Sequence, residues 1–189
     1  MKFPKCILEA LVKKNISRPT PIQVQGLPAL LSGADLIGIA FTGSGKTLTF
    51  SLPMIMLALE EEMRMPLEGG EGPIGLVLCP SRELARQTYE VVDYFLQALE
   101  GGGYPKLRST LCIGGEDKRK QVDTARNQGV HCIVATPGRL NDLLNQGILN
   151  MHLCKYFCLD EGDRMLDLGF DEEVHGIINR LQIIQFNSI

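Results

Sequence analysis

No two cysteines of this chain stand at C-x-x-C spacing, no apolar run is long enough to cross a bilayer, and positive charge is not in excess. Each absence removes a class of function. The six cysteines, Cys6, Cys79, Cys112, Cys132, Cys154 and Cys158, are scattered. Without paired His/Cys spacing they offer no zinc site, and four of them sit inside apolar runs where Cys acts as a small hydrophobe. A reducing compartment is the resulting expectation. The longest apolar stretch, from Leu48 to Leu59, contains Thr49, Ser51 and Pro53 and is too short for a membrane span. No apolar leader opens the chain, so no signal peptide is expected. The formal net charge is −3, which supplies no global field for a polyanion; a nucleic-acid surface would have to be local. Internal repeats and low-complexity tracts are missing as well.

What remains is ordinary globular composition, 189 residues with 44% hydrophobic and 22% charged, enough for one domain with a real core. Apolar strand-like runs recur at 36–40, 74–79, 108–113, 131–135 and 155–159. Amphipathic stretches alternate with them at 47–62, 82–99, 118–127 and 137–146, and helices are expected at 5–14, 21–31 and 171–181. Strands apolar on both faces, alternating with helices, predict an α/β fold with a mostly parallel sheet covered on both sides. Pro53 is expected to kink or turn the helix that contains it.

The run Ala40-Phe41-Thr42-Gly43-Ser44-Gly45-Lys46-Thr47 lies between a strand-like stretch and a helix-like one. Small residues let backbone N–H groups turn inward around phosphate oxygens. A Lys serves the β- and γ-phosphates, a hydroxyl serves Mg²⁺, and the helix N-terminus favours anions. Gly43 and Gly45 with Thr42 and Ser44 form the loop, and Lys46 and Thr47 supply the cation and the hydroxyl. The first position, Gly in the general pattern, is Ala40 here. The run 155–159 ends in Asp160-Glu161-Gly162-Asp163. A phosphate loop needs an acid at a neighbouring strand tip for Mg²⁺ and a base to orient water; Asp160 fits the first role and Glu161 the second. The plain alternative, a solvated acidic turn, loses ground because the loop stands upstream in the same alternating pattern.

Further punctuation narrows the class. Arg18-Pro19-Thr20-Pro21-Ile22-Gln23 precedes the loop, Pro80-Ser81-Arg82-Glu83-Leu84-Ala85 opens a helix, Gly114-Gly115 ends a strand, and Thr136-Pro137-Gly138-Arg139 opens another helix. This ordered set resembles the first RecA-like domain of the DEAD-box RNA helicases over nearly the whole chain, with stretches closest to the Abstrakt-like subfamily. The resemblance implies ATP and Mg²⁺ as ligands and RNA as partner, bound through its backbone. It gives Lys46, Asp160 and Glu161 the catalytic roles, and Thr47 and Asp160 the metal. Gln23 reads the adenine edge, with Arg18 and Thr20 shaping that pocket. Pro80, Ser81, Arg82, Gly115, Thr136, Gly138 and Arg139 take the RNA-backbone contacts. For Ser81 and Thr136 a helix cap is the competing reading; for Arg82 and Arg139 it is a surface ion pair. Asp163 resembles a residue linking the nucleotide site to RNA coupling. An intracellular setting follows, the nucleus by resemblance with the cytoplasm as alternative.

Departures from that pattern carry expectations too. Gly162 stands where the family has Ala, a cost of about 0.5–1 kcal/mol within a helix. The family's Ser-Ala-Thr strand is not found before Ile189, and its second RecA-like domain is absent. The expected layout is therefore a helical segment over 1–33 and an incomplete RecA-like domain over 34–189. Its 36–40 strand would lie beside the acidic strand with one bare edge, unless the apolar residues of 182–189 fold back to cover it. The leading reading is the ATP-binding domain of an RNA helicase. The alternative is a nucleotide- and RNA-binding module without turnover. An unrelated P-loop ATPase is set aside by Gln23, Arg82 and Arg139.

Overall fold

The computed structural model describes residues 3–115, 123 and 127–181. Seven helices and four strands are found among them: α1 (Lys5–Lys13), α2 (Pro21–Leu31), α3 (Lys46–Arg64), β1 (Gly75–Leu78), α4 (Arg82–Gly101), β2 (Ser109–Cys112), β3 (Cys132–Ala135), α5 (Pro137–Asn145), β4 (Tyr156–Leu159), α6 (Gly162–Asp167) and α7 (Asp171–Ile178). The helix expected over 118–127 and the tail 182–189 fall largely or wholly outside the described residues. No helix among the described residues is long and apolar enough to cross a membrane.

The four strands form one parallel sheet in the order β2-β3-β1-β4. Alternate residues of the central strands enter two separate cores. Val77, Cys132 and Val134 join α3 and α4 on one face. Leu76, Leu78, Ile133 and Ala135 join Leu140, Leu143 and Ile177 of α5 and α7 on the other. That two-sided burial is why these strands read as unbroken apolar runs. It confirms the α/β fold, a parallel sheet flanked by helices, and agrees with a RecA-like arrangement.

Local sequence explains the elements. Helix α4 buries Ala85, Thr88, Val92, Phe95, Leu96 and Leu99 at helical spacing, and its cap Ser81 accepts from the Leu84 N–H at 3.2 Å. Tyr94 leaves the same helix to donate to the Ala10 carbonyl at 3.0 Å, which anchors α1 with Lys14 over its ring at 4.2 Å. Helix α3 runs through Pro53 without ending there. All six cysteines are free.

One expectation fails. Residues 36–40 join no strand of the sheet, and Ile37 and Ile39 are 92% and 94% exposed. A cleft of about 1110 Å³ separates this segment from β4, with Phe50 and Pro53 of α3 also lining it. A strand exists only through its ladder partners. Here the 36–40 segment and β4 line the same cleft with no ladder between them. The segment therefore neither pairs nor buries its side chains, whatever its apolar pattern.

Register decides where chemistry collects. Leu78 pairs with Ala135 and with Leu159, and Cys112 pairs with Ala135, so all four strands end level. Ladder bonds continue one step further, from the Cys79, Thr136 and Asp160 N–H groups. Every loop that follows a strand leaves from this one edge, the usual place for ligands on parallel sheets.

Candidate functional site

The loop 42–45 turns because Gly43 (φ +82°) and Gly45 (φ +96°) adopt the left-handed region that other residues avoid. Gly45 caps α3, so the first N–H groups of a 19-residue helix face the loop without intrahelical partners. A Cβ at Gly45 would stand 2.5 Å from Gln23 Nε2 and 2.9 Å from Thr20 Oγ1, so no larger residue fits there. Lys46 reaches across the loop, donating to the Ala40 carbonyl at 2.5 Å and the Phe41 carbonyl at 3.1 Å. Thr47, the next residue of α3, is half-buried. The Ser44 hydroxyl is buried and has no hydrogen-bond partner among the described residues.

Behind the loop, α2 presents Gln23, which is buried. Its Oε1 accepts from the Thr20 N–H at 3.0 Å and its Nε2 donates to the Gly45 carbonyl at 3.1 Å. The amide thereby joins the 18–23 segment to the phosphate loop and still keeps one N–H and one lone pair for a ligand. Arg18 is exposed. Thr49, which the sequence reading passed over, donates its hydroxyl to the same Gly45 carbonyl at 3.1 Å. Its place four residues after Gly45, where Ser and Thr can bond back to a carbonyl, was the available signal.

The acidic pair stands at the tip of β4. Asp160 is only 6% exposed, and its carboxyl is pushed up to about 6, by burial first and then by the Glu161 charge, with Lys46 pulling the other way. Glu161 holds a left-handed backbone (φ +53°, ψ +50°) at the start of α6, a conformation that costs a non-glycine residue of order 1 kcal/mol or more. Its side chain accepts from Arg164 at 3.2 Å. Lys46, Thr42, Asp160 and Glu161 all line the cleft.

These residues fit a triphosphate and a divalent cation on two observations. A buried hydroxyl with no partner among the described residues stands in a loop at a helix N-terminus, and a buried carboxyl raised to about 6 has its charged form favoured by any added cation. Among the described residues no group of three His, Cys, Asp or Glu side chains could hold a metal by itself. One carboxylate and one hydroxyl suit Mg²⁺, which keeps phosphate and water for its other ligands.

Along the same edge lie the positions expected to meet RNA. Pro80 is buried and Ser81 caps α4. Arg82 is exposed, and its guanidinium covers the Gly114-Gly115 turn. A Cβ at Gly114 or Gly115 would come within 3.1 Å of it, and Gly115 has φ +84°. Thr136 precedes α5 with Pro137 at its first turn and makes no side-chain cap bond. Gly138 is exposed and open to solvent, while Arg139 is half-buried, close enough to Cys112 to oppose the rise that burial gives its thiol. The structure thus brings the 80–82, 114–115 and 136–139 segments together on one rim, beside the acidic tip of β4.

Comparison with known proteins gives the same pattern a wider setting. The family model for DEAD/DEAH box helicases matches residues 20–188. DEAD-box ATP-dependent RNA helicase 35 of Arabidopsis thaliana is 58% identical over 182 residues, covering 96% of this chain and 31% of that protein. Probable ATP-dependent RNA helicase ddx41 of Dictyostelium discoideum is 55% identical across 100% of this chain and 29% of its own length. ATP-dependent RNA helicase abstrakt of Drosophila melanogaster is 55% identical, over 95% of this chain and 29% of that protein. The chain therefore spans less than a third of each of these relatives.

Proposed function

Because this chain belongs to the DEAD/DEAH box helicase family, we propose that it binds Mg-ATP and the RNA backbone as the ATP-binding portion of an RNA helicase. The observation that carries this reading is the convergence of three separate segments, 18–23, 42–47 and 160–161, on one loop and cleft.

Each residue has a task its surroundings support. The loop N–H groups and Lys46 neutralise phosphate charge. Mg²⁺, held by Thr47 and Asp160, would supply charge neutralisation at the transferring phosphoryl group. Glu161 orients the attacking water and accepts its proton, and Asp163 follows on α6 as the link to RNA. Gln23 offers its remaining donor and acceptor to adenine, which presents one of each on its edge, whereas guanine presents two acceptors there. Arg82 and Arg139, with the helix starts after Ser81 and Thr136, suit phosphate oxygens and read no bases. RNA binding by this rim would be sequence-independent. A reducing intracellular compartment, the nucleus by family resemblance, completes the proposal; exclusion of the chain from nuclei on immunolocalisation would count against the nuclear part.

Unwinding is assigned to a longer protein. In the family a second RecA-like domain supplies arginine fingers and half of the RNA groove, and such a finger is worth on the order of 10³–10⁵ in turnover. The 189-residue chain alone should bind nucleotide, hydrolyse it feebly and separate no duplex. Phosphate release with and without RNA tests this, together with Mg-ATP binding, in wild type and in Glu161→Gln. The reading predicts that Glu161→Gln removes residual release and keeps binding. Robust unwinding by the isolated chain, or hydrolysis unchanged in Glu161→Gln, would contradict it.

A further inference from the structure

The Gly45 carbonyl is approached by three donors: Gln23 Nε2 at 3.1 Å, Thr49 Oγ1 at 3.1 Å and the Thr49 N–H at 3.3 Å. A carbonyl oxygen has two lone pairs, so its direction is fixed more firmly than a helix ladder alone would fix it. Thr49 is 3% exposed and touches α2 with its other branch. Its methyl lies 2.6 Å from where a Cβ on Gly26 would stand, so α2 and α3 approach this closely only because position 26 has no side chain. Gln23 and Gly26 are one turn apart on the same face of α2. Thr49 is thus wedged between that face and the phosphate loop.

The consequence follows from peptide geometry. In a planar trans peptide the N–H points opposite to the preceding C=O. Holding the Gly45 carbonyl toward Gln23 and Thr49 aims the Lys46 N–H the other way, into the loop. We propose that Thr49 is a positioning residue for the phosphate cradle. With Gln23 it sets the Gly45–Lys46 peptide, and it couples the placement of α2 to the orientation of the loop's N–H groups. The inference rests on the nucleotide-site reading above. It adds a residue outside the 42–47 loop, and it gives Gln23 a task at the phosphates besides the one at the base.

Calorimetric titration of the 189-residue chain with Mg-ATP, Mg-GTP and Mg-tripolyphosphate separates the possibilities. Thr49→Val keeps the shape and loses the hydroxyl; Thr49→Ser keeps the hydroxyl and loses the methyl. Thr49→Val should weaken Mg-ATP and Mg-tripolyphosphate by the same factor, about two- to tenfold, the weight of one net hydrogen bond. The ATP-to-GTP ratio should stay unchanged and the number of sites should stay at one per chain. Thr49→Ser should restore most of the affinity. Gln23→Ala should lower both the ATP preference and tripolyphosphate affinity, and the double variant should lose less than the product of the two single losses, because both act on one carbonyl. Wild-type affinity in Thr49→Val, equal loss in Thr49→Ser, fully multiplicative losses, or a fall in site number at constant affinity would each overturn the proposal. Lys46→Ala distinguishes the two levels. If it abolishes binding while Thr49→Val changes nothing, only the role of Thr49 fails; if it changes nothing, the nucleotide site itself fails and the proposal with it.

Discussion

Asp160 and His131 are both buried and titratable, and they pull stability in opposite directions with pH. The Asp160 carboxyl is raised from 3.8 to about 6, by burial above all. Its contribution to stability is therefore full below pH 3.8 and lost as the pH rises through 6. His131 is fully buried, and its Nδ1 accepts from the Arg108 N–H at 3.0 Å, leaving Nε2 to donate to Glu62 at 2.8 Å. Burial lowers its pKa below 6.5 against the pull of Glu62. It contributes stability above pH 6.5 that is lost as the pH falls below that value. Asp160→Asn removes the first effect and keeps the shape. In Mg²⁺-free buffer the variant should match wild type near pH 4, gain as the pH rises to about 6 and hold a level advantage on the order of 2 kcal/mol from there to pH 8. Urea melts across that range check this; a constant offset between the two curves would contradict the assignment. The acid that the proposed metal site needs is thus one that the free fold holds at a cost.

Helix α6 offers a second check, because Gly162 opens it. A Cβ there would meet Leu159 at 3.4 Å and 3.8 Å, ordinary contact, and its φ is not positive. Gly162→Ala should stabilise the chain by about 0.5–1 kcal/mol in a chemical melt. Gly115→Ala, with φ +84° and Arg82 in the way, should destabilise it by about 1 kcal/mol; equal effects of the two would sink the backbone argument. These elements were legible in the sequence for local reasons. The phosphate loop shows itself because only Gly tolerates the required turns, α4 through Ser81 and its apolar spacing, and β1 and β3 through unbroken apolar runs. The 36–40 segment has the same run and forms no strand, since pairing depends on a neighbour that no local pattern specifies. The helix expected across Pro53 is found as α3, which continues through that residue among the buried Leu52, Met54 and Ile55. Of the Gly45 carbonyl node only the Thr49 bond had a sequence signal, its spacing of four; the Gln23 bond joins a second helix through side-chain geometry that no local pattern specifies.

The cleft beside β4 sets the behaviour of the whole chain. Ile37, Ile39 and Phe41 are 92%, 94% and 81% exposed on one wall, and the edge of β4 forms the other. Apolar surface next to a sheet edge that pairs with no further strand among the described residues favours self-association. Replacing Ile37 and Ile39 together by Lys should reduce light scattering on concentration, while unfolding free energy stays within about 0.5 kcal/mol per site, as for exposed positions. A loss of several kcal/mol would mean that the segment is buried in solution and that the cleft is closed. The same cleft takes in Lys46 and Asp160, with Thr47 beside them on α3 and Gln23 bonded to the loop from α2, and everything proposed about function depends on that gathering. The direct test is calorimetric titration of the chain with ATP, with and without Mg²⁺, in wild type and Lys46→Ala. The account predicts one Mg²⁺-dependent site per chain, preferring ATP to GTP and weakened at least tenfold in Lys46→Ala, about 1.4 kcal/mol or more. Equal affinity in the two proteins, or binding indifferent to Mg²⁺, would contradict it.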